Sequence, residues 1–218
     1  MKIAIIGIDG YIGWALAQYL GEAGHEISGI DSYVRRHLVD GEDSYSVVPI
    51  SYMPNRRSAF RDRFGRDLFF ARGNACDHQF LSDFIHIVRP DTIIDLADIS
   101  STVYPQRGLH ESCFMQSNNL KSTLCLLHVM KQKLPYAHLV KIGSFGEYGN
   151  ADTMVFEGNF VMNVADEFGM LPFPKCPASF YHAIKAEDSL TVELACNEWR
   201  LRASNLVSGL VYLSLIHI

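Results

Sequence analysis

The sequence has little of what marks nucleic-acid-binding, metal-binding or membrane proteins. Its 19 lysines and arginines are outnumbered by 24 aspartates and glutamates, and the pairs Arg35-Arg36 and Arg56-Arg57 are too short to form a basic stripe. The five cysteines include no C-x-x-C and the nine histidines no H-x-x-x-H, so we expect no metal site. No run approaches the roughly 20 apolar residues of a membrane span. We therefore expect neither nucleic acid nor a membrane as a partner.

The cysteine count and the first residues bear on location. An odd number of cysteines without paired spacing is typical of a reducing compartment. A strand-like run begins at Lys2, and the sequence shows no pattern of a signal or transit peptide. These features predict a cytoplasmic protein. Its 218 residues are enough for one well-buried domain.

What the sequence does contain is a regular alternation of strand-like and helix-like segments. Short apolar, β-branched runs are typical of buried parallel strands, and apolar residues at a spacing of three to four are typical of helices. The predicted strands are 2–7, 26–30, 67–71, 92–96, 138–142 and 202–206, and the predicted helices are 11–22, 77–88, 112–132 and 179–199. This order predicts an α/β fold with a doubly wound, Rossmann-like parallel sheet.

Two stretches interrupt the alternation. Residues 37–66 are polar and arginine-rich, and we expect an irregular excursion over the surface. Residues 151–178 contain three prolines within 172–177, which exclude a regular helix there. A long irregular segment inside a compact domain is usually functional, and this one leads directly to Tyr181. We expect it to form part of the wall of a substrate pocket.

A glycine-rich turn follows the first predicted strand. In the pattern G-x-x-G-x-x-G, Gly7 permits a tight turn, Gly10 lets the backbone approach a pyrophosphate, and Gly13 lets the helix pack close to the sheet. The N-terminus of the following helix offers N–H groups and positive potential to phosphates. An ordinary strand-to-helix turn is the alternative. The flanking strand and helix favour a dinucleotide site.

Asp31 ends the second predicted strand, 18 residues after Gly13 (31 − 13), near the position of a carboxylate that binds ribose hydroxyls. A carboxylate there would repel a 2′-phosphate, which favours NAD over NADP. Arg35 and Arg36 follow closely and could instead pair with such a phosphate, or lie on a solvated loop. We predict NAD as the cofactor.

Tyr181 and Lys185 are one helical turn apart, which places a phenol and an amine on the same helix face. An unperturbed tyrosine has a pKa of about 10 and is a poor base at neutral pH. A neighbouring ammonium group stabilises the phenolate and can hold the nicotinamide ribose. Ser144 follows an apolar strand and could orient the reacting alcohol. The alternatives are an ordinary surface pair and a turn hydroxyl.

Several longer strings resemble the UDP-sulfoquinovose synthase family, a sulfolipid-pathway branch of the extended short-chain dehydrogenases. They are DGYIGW at 9–14, DSYVRR at 31–36, HLVKIGSFGEYG at 138–149, LPFPK at 171–175 and SFYH at 179–182. The similarity extends nearly to Tyr212. The resemblance implies oxidation of C4 of UDP-glucose by bound NAD, loss of water across C5–C6, addition of sulfite at C6 and return of the hydride. It also implies a homodimer paired through helices 112–132 and 179–199.

The resemblance implies roles for five residues around the reacting sugar. Tyr181 is the base at C4, Lys185 is its partner, and Ser144 replaces a threonine of the family. Glu147 and His182 match residues that line the pocket, so we include them as catalytic candidates. Together with the glycine-rich turn, the predicted NAD site comprises Gly7, Gly10, Tyr11, Ile12, Gly13, Asp31, Arg35, Arg36, Asn74, Ala75, Leu96, Asn118, Tyr181 and Lys185.

The sequence also departs from the family. Asn74 stands in place of an aspartate, Ser100 in place of an arginine near cofactor and substrate, and residues 207–208 (Val-Ser) in place of Asn-Gln. Three functions therefore stay open: the sulfite-using synthase, a sulfite-independent epimerase or dehydratase of sugar nucleotides, and a non-catalytic nucleotide-binding domain. The intact pair of Tyr181 and Lys185 argues against the third.

The last residues do not continue the pattern. We expect residues 1–212 to form an NAD-binding Rossmann-like domain whose C-terminal substrate region is truncated. We expect residues 213–218 (LSLIHI) to be a foreign tail.

Overall fold

A six-stranded parallel sheet forms the centre of the computed structural model, which describes residues 1–40, 49–149, 154–156 and 158–211. The predicted tail at 213–218 lies outside these residues. The strands are β1 (Lys2–Ile6), β2 (Glu26–Asp31), β3 (Phe69–Arg72), β4 (Thr92–Asp95), β5 (His138–Ser144), β6 (Asn159–Val164), β7 (Glu167–Pro172) and β8 (Arg202–Ser208). The sheet has the order β3-β2-β1-β4-β5-β8, and β6 and β7 form a separate two-stranded sheet.

Helices cover both faces of this sheet. They are α1 (Tyr11–Glu22), α2 (Val34–Asp40), α3 (Met53–Phe64), α4 (His78–Val88), α5 (Leu109–Lys133) and α6 (Phe180–Trp199), with short 3-10 turns at Tyr104–Gln106 and Phe145–Tyr148. The predicted doubly wound α/β fold is confirmed, and every strand and helix of the predicted alternation is present within a few residues of its expected bounds.

The central strand β1 explains why the sequence takes this arrangement. Its side chains alternate between the two faces of the sheet, because successive residues of a strand point to opposite sides. Ala4 and Ile6 pack in one core with residues of α4, α5 and α6. Ile3 and Ile5 pack in the other with Trp14 of α1 and residues of α3. A strand buried on both faces must be apolar throughout.

The order of the strands positions a binding crevice. The connections from β1 run toward β2 and β3 on one side, whereas β4, β5 and β8 lie on the other. In an open parallel sheet, such a reversal leaves a crevice outside the carboxyl ends of the strands. The glycine-rich turn follows β1, and Ser144 ends β5. Both sequence motifs therefore meet at the same edge of the sheet.

The expected irregular excursion at 37–66 is wrong in part, because α2 and α3 lie within it or overlap it. Three residues of α3 are buried. Met53 and Phe60 are 0% and 3% exposed, and Arg56 between them is 7% exposed. These residues follow the helical spacing of i, i+3 and i+7. The sequence does not predict this helix from apolar spacing, because one of its three buried positions is an arginine.

The expected irregular stretch at 151–178 contains an antiparallel hairpin formed by β6 and β7, in which Asn159 pairs with Pro172. Its turn residues, Ala165 and Asp166, have φ angles of 53° and 66°. A two-residue turn with left-handed backbone at both positions matches the twist of a hairpin. This turn carries no glycine or asparagine, so the sequence gives no usual hairpin signal. The hairpin strands do not line the crevice, so among the described residues of 151–178 only Ala178 forms part of the expected pocket wall.

Candidate active site

A cavity of about 750 Å³ lies at the carboxyl ends of the strands, within the size range of cofactor and small-molecule sites. All but two of the predicted site residues line this cavity. They are Gly7, Gly10, Tyr11, Ile12, Gly13, Asp31, Arg35, Asn74, Ala75, Leu96, Asn118, Ser144, Tyr181, His182 and Lys185. The exceptions are Arg36 and Glu147. The fold thus brings the cofactor turn and the predicted catalytic pair into one site.

The turn after β1 requires glycine at two positions. Gly7 has a φ angle of +86°, and a Cβ there would lie 2.9 Å from the carbonyl carbon of Leu96. A Cβ on Gly13 would lie 2.9 Å from the Cα of Ile8, so α1 packs directly on the turn. At the N-cap of α1, Gly10 has no side chain to cover the first-turn N–H groups. The turn therefore fits a pyrophosphate, which such N–H groups bind.

Asp31 lies at the end of β2, and each of its carboxylate oxygens accepts a hydrogen bond from the backbone. Its Oδ1 accepts from Tyr33 N–H at 2.8 Å, and its Oδ2 accepts from Asp9 N–H at 3.0 Å. Burial raises the pKa of Asp31, although the two backbone donors oppose this. Each carboxylate oxygen can accept more than one hydrogen bond, so the group can still accept from ribose hydroxyls. Its negative charge disfavours a 2′-phosphate.

Arg36 does not line the cavity, which corrects its assignment to the NAD site. Its Nε and one terminal nitrogen bind the carboxylate of Asp9 at 2.5 and 2.8 Å, and it also donates to the carbonyls of Ile50 and Ser51. Asp9 is only 8% exposed and also pairs with Arg56 at 3.2 Å. A buried carboxylate requires a countercharge, and Arg36 supplies it. Only Arg35 of the two arginines reaches the cavity.

The start of α6 holds the predicted catalytic pair. Ser179 caps the helix by accepting from His182 N–H at 3.3 Å. Tyr181 and Lys185 follow on one face, and Lys185 is 3% exposed. The ammonium group of Lys185 donates to the carboxylate of Asp98 and to the carbonyl of Ile142. Burial raises the pKa of Tyr181 well above its usual value, and the negative charge of Asp98 raises it further.

A buried ionic cluster lies beneath this pair. Lys141 of β5 is 1% exposed. Its Nζ lies 2.9 Å from Asp95, 3.4 Å from Asp98, 3.3 Å from Asp188 and 2.9 Å from the hydroxyl of Thr123. Although burial opposes it, these carboxylates raise the pKa of Lys141 well above the usual value. Sequence reasoning missed this cluster. The available signal was a lysine within the otherwise apolar strand 138–144.

Glu147 lies behind the cavity, which corrects its assignment as a group that contacts the sugar. It is 0% exposed. Its Oε1 accepts from Ser144 N–H at 2.9 Å, and its Oε2 accepts from Lys175 at 2.5 Å and from Ser189 Oγ at 2.8 Å. These contacts hold the turn after β5 and thereby position Ser144. The signal for this role was the capping-box spacing of Ser144 and Glu147.

His182 and Ser144 complete the wall of the cavity next to Tyr181. The ring of His182 packs against Gly146, and its Nδ1 lies 3.1 Å from Ser179 Oγ. Burial lowers the pKa of His182, so the imidazole is neutral at neutral pH. Ser144 Oγ accepts from Gly146 N–H at 3.3 Å, which leaves its proton available for donation. A neutral imidazole and a hydroxyl suit contacts to an uncharged sugar.

Comparison with known proteins identifies the family. The NAD dependent epimerase/dehydratase family matches residues 3–212. The chain belongs to this family. The NAD dependence of the family agrees with the predicted cofactor. The predicted membership in the extended short-chain dehydrogenases is confirmed.

Relatives within the epimerase/dehydratase family include two UDP-sulfoquinovose synthases. The chloroplast enzyme of Spinacia oleracea is 31% identical over 97% of this chain and 44% of its own length. The enzyme of Sulfolobus acidocaldarius is 28% identical over 97% of this chain and 54% of its own length. The predicted resemblance to these synthases is confirmed. The chain spans about half the length of the curated relatives it matches.

A solved structure supports the fold. The UDP-glucose 4-epimerase of Stenotrophomonas maltophila, crystallised with NAD and a formylated UDP-arabinopyranose, superposes with a TM-score of 0.70. The match covers 95% of this chain and 52% of the epimerase at 19% identity, which establishes the fold alone. The predicted absence of a metal site and of a membrane span stays a prediction. Within the described residues, no cluster of three or more metal-binding side chains occurs, and no helix could cross a membrane.

Proposed function

We propose that this chain carries the NAD-binding and catalytic part of an enzyme that oxidises and later re-reduces the sugar of a sugar nucleotide. The observation that carries the proposal is one cavity lined by the glycine-rich turn, Asp31, Ser144, Tyr181 and Lys185. A nucleotide-binding domain without turnover needs only the first two of these elements. Residues 1–212 would form this unit, and a location in the cytoplasm stays a prediction from the sequence.

In the proposed reaction, Tyr181 accepts the proton of a sugar hydroxyl. Ser144 donates a hydrogen bond to the same oxygen and orients it, while Lys185 faces the tyrosine from the next turn of α6. Bound NAD supplies the hydride acceptor. Asp31 would hold its adenosine ribose, and the N-terminus of α1 its pyrophosphate. The neutral imidazole of His182 would contact the sugar as a hydrogen-bonding group.

We further propose UDP-glucose as the sugar nucleotide and sulfite as the second substrate. Two UDP-sulfoquinovose synthases that align over 97% of this chain support this choice. A specific observation favours the second candidate, a sulfite-independent epimerase or dehydratase. Ser100 lines the cavity where the synthases are expected to carry an arginine, and a serine offers no charge to an anion. Both candidates use the same Tyr181 chemistry.

The decisive experiment is mass spectrometry of the products formed by the longest natural form of the protein with NAD and UDP-glucose, with and without sulfite. A sulfonated sugar nucleotide that forms only with sulfite would support the synthase. A dehydrated or isomerised sugar whose formation ignores sulfite would support the second candidate. NAD binding without any turnover of sugar nucleotides would support the non-catalytic domain and contradict the proposed enzyme.

Tyr181→Phe tests the role of the tyrosine in the same assay. We expect turnover to fall by about 10²- to 10⁴-fold, since this is the usual contribution of a positioned acid or base, with NAD affinity nearly unchanged. Tyr136→Phe is the matched control, because Tyr136 is 86% exposed and lies outside the cavity. Full turnover in Tyr181→Phe would contradict the catalytic assignment.

We also propose that the protein forms a homodimer through the outer faces of α5 and α6. The two helices pack side by side and carry exposed leucines at 109, 124, 190 and 194. Exposed apolar side chains on neighbouring helices favour burial against another surface. A second copy of the chain would provide a self-complementary partner.

A further inference from the structure

Asp98 lies between the two buried lysines of the site. It belongs to the loop after β4, whereas Lys141 is on β5 and Lys185 on α6. One carboxylate oxygen accepts from Lys185 and the other lies 3.4 Å from Lys141. The three side chains are only 7%, 1% and 3% exposed, so water does not screen their charges. Asp98 is therefore the direct link between the cluster and the catalytic pair.

The cluster more than balances the charge of Lys185. Asp95, Asp98 and Asp188 carry three negative charges when ionised, against two positive charges on Lys141 and Lys185. An ammonium group has three N–H donors. Lys185 uses two of them, on Asp98 and on the carbonyl of Ile142. One donor remains for a ribose hydroxyl or for Tyr181, and little net positive charge remains to favour a phenolate.

We propose that Asp98 is a positioning residue for the Tyr181–Lys185 pair: it holds the Lys185 ammonium group against Ile142 and offsets its charge, which keeps Tyr181 protonated in the free protein. This inference rests on the proposed function, in which Tyr181 is the proton acceptor. An oxidised nicotinamide ring carries a positive charge, and its entry would favour the phenolate. Tyr181 would then become a base only when the cofactor is in place.

The groups around Tyr181 agree with this assignment. Burial raises the pKa of Tyr181, and Asp98 is the largest charged contributor to the increase. His182 is neutral because burial lowers its pKa, and Glu147 is paired with Lys175. Burial raises the pKa of Asp188 to about 6. The titratable groups that face the pair from β4, β5, α6 and the turn after β5 are Asp95, Asp98, Lys141, Glu147, His182 and Asp188.

The test is the ionisation of Tyr181 in the free protein. Tyrosine labelled with ¹³C at the ring carbon that bears the hydroxyl is followed by NMR between pH 7 and 12, and Tyr181→Phe identifies the signal. We expect the wild-type Tyr181 signal to remain that of the phenol over this range, whereas Asp98→Asn should shift the titration to lower pH by about one unit or more, as removal of a neighbouring negative charge does, so that a phenolate signal develops within the range. The acid limb of the pH profile of kcat/KM should move in the same direction.

Asp95→Asn is the matched control. It removes one carboxylate from the same cluster, yet Asp95 contacts Lys141 and not Lys185. We expect a clearly smaller shift of Tyr181 than in Asp98→Asn. Equal shifts in the two variants would show a general effect of cluster charge and would overturn the positioning role. An unchanged Tyr181 titration in folded Asp98→Asn would overturn it as well.

Asp98→Ser is the second variant, since its smaller side chain admits water to both ammonium groups. If neither variant folds, Asp98 serves stability alone and the proposal fails. The titration needs no substrate, so its result is separable from the proposed function. If the titration of Tyr181 shifts in Asp98→Asn but the protein turns over no sugar nucleotide, the proposed function is rejected and the effect of Asp98 on Tyr181 stands. If the wild type turns over a sugar nucleotide but the Tyr181 titration does not shift in Asp98→Asn, only the proposed role of Asp98 is rejected.

Discussion

At the scale of single residues, Asp188 shows how burial changes the behaviour of a carboxyl group. It is 2% exposed and lies 3.3 Å from Lys141. Burial raises its pKa from 3.8 to about 6, although Lys141 opposes the increase. Between these values the folded protein binds a proton that the unfolded chain has released. The contribution of Asp188 to stability therefore falls as the pH rises through this window.

Asp188→Asn tests this linkage. The amide cannot ionise, so the variant avoids the cost of burying a charge above pH 6. We expect the free energy of unfolding of the variant, relative to the wild type, to increase by about 1–3 kcal/mol between pH 4 and 7. Denaturant titrations at several pH values measure it. Asp83→Asn at an exposed position is the control for losing a surface carboxylate. A relative stability that decreases with pH would refute the assignment.

At the scale of elements, the turn Phe145–Tyr148 depends on one buried carboxylate. Glu147 joins this turn to Ser144 of β5, to Lys175 in the segment before α6 and to Ser189 on α6. The turn, the strand and the helix each carry a residue that lines the cavity. We therefore expect Glu147 to influence the proposed reaction through the position of Ser144.

A double-mutant cycle tests whether Glu147 and Lys175 form one structural interaction. Glu147→Gln leaves Lys175 without its partner and should lower the free energy of unfolding by about 2–4 kcal/mol. Lys175→Met leaves Glu147 buried without a countercharge, with a similar effect. The free energy of unfolding of the double variant should fall by less than the sum of the two single decreases, because the two residues form one interaction. Thermal and denaturant unfolding measure all three.

The kinetics of the same variants provide the control. If Glu147 acts only by position, Glu147→Gln and Lys175→Met should reduce kcat to a similar extent at temperatures where both are folded. A large loss of kcat in Glu147→Gln alone, with Lys175→Met near the wild type, would restore Glu147 to the catalytic residues.

At the scale of the whole molecule, the exposed leucines of α5 and α6 predict a dimer. Leu190 and Leu194 are 53% and 59% exposed, although other residues of α6, such as Val192 and Ala195, are buried in the core. Leu190→Glu would place a charge in the proposed interface and should convert the dimer to a monomer in sedimentation-velocity experiments. Tyr19→Glu, at a position 70% exposed on α1, is the control. A wild type that is monomeric at micromolar concentration would contradict the proposal.

The sequence predicted the elements of the sheet because strands and helices impose local periods on apolar residues. It also predicted two parts of the cavity wall, since the glycine-rich turn and the Tyr181–Lys185 spacing are local patterns. It did not predict the hairpin, whose turn residues Ala165 and Asp166 include neither glycine nor asparagine. Nor did it predict α3, where Arg56 occupies a buried position.

What the sequence alone determined is therefore the order of strands and helices and the local geometry of two motifs, because each depends on residues within a turn or two of one another. The tertiary structure alone decided which charges meet. Lys185 and Asp98 are 87 residues apart, and Lys141 and Asp95 are 46 apart. Their contacts follow from the packing of β4, β5 and α6. Coulomb interactions in a buried site depend on distance in space, and no local pattern in the chain encodes that distance.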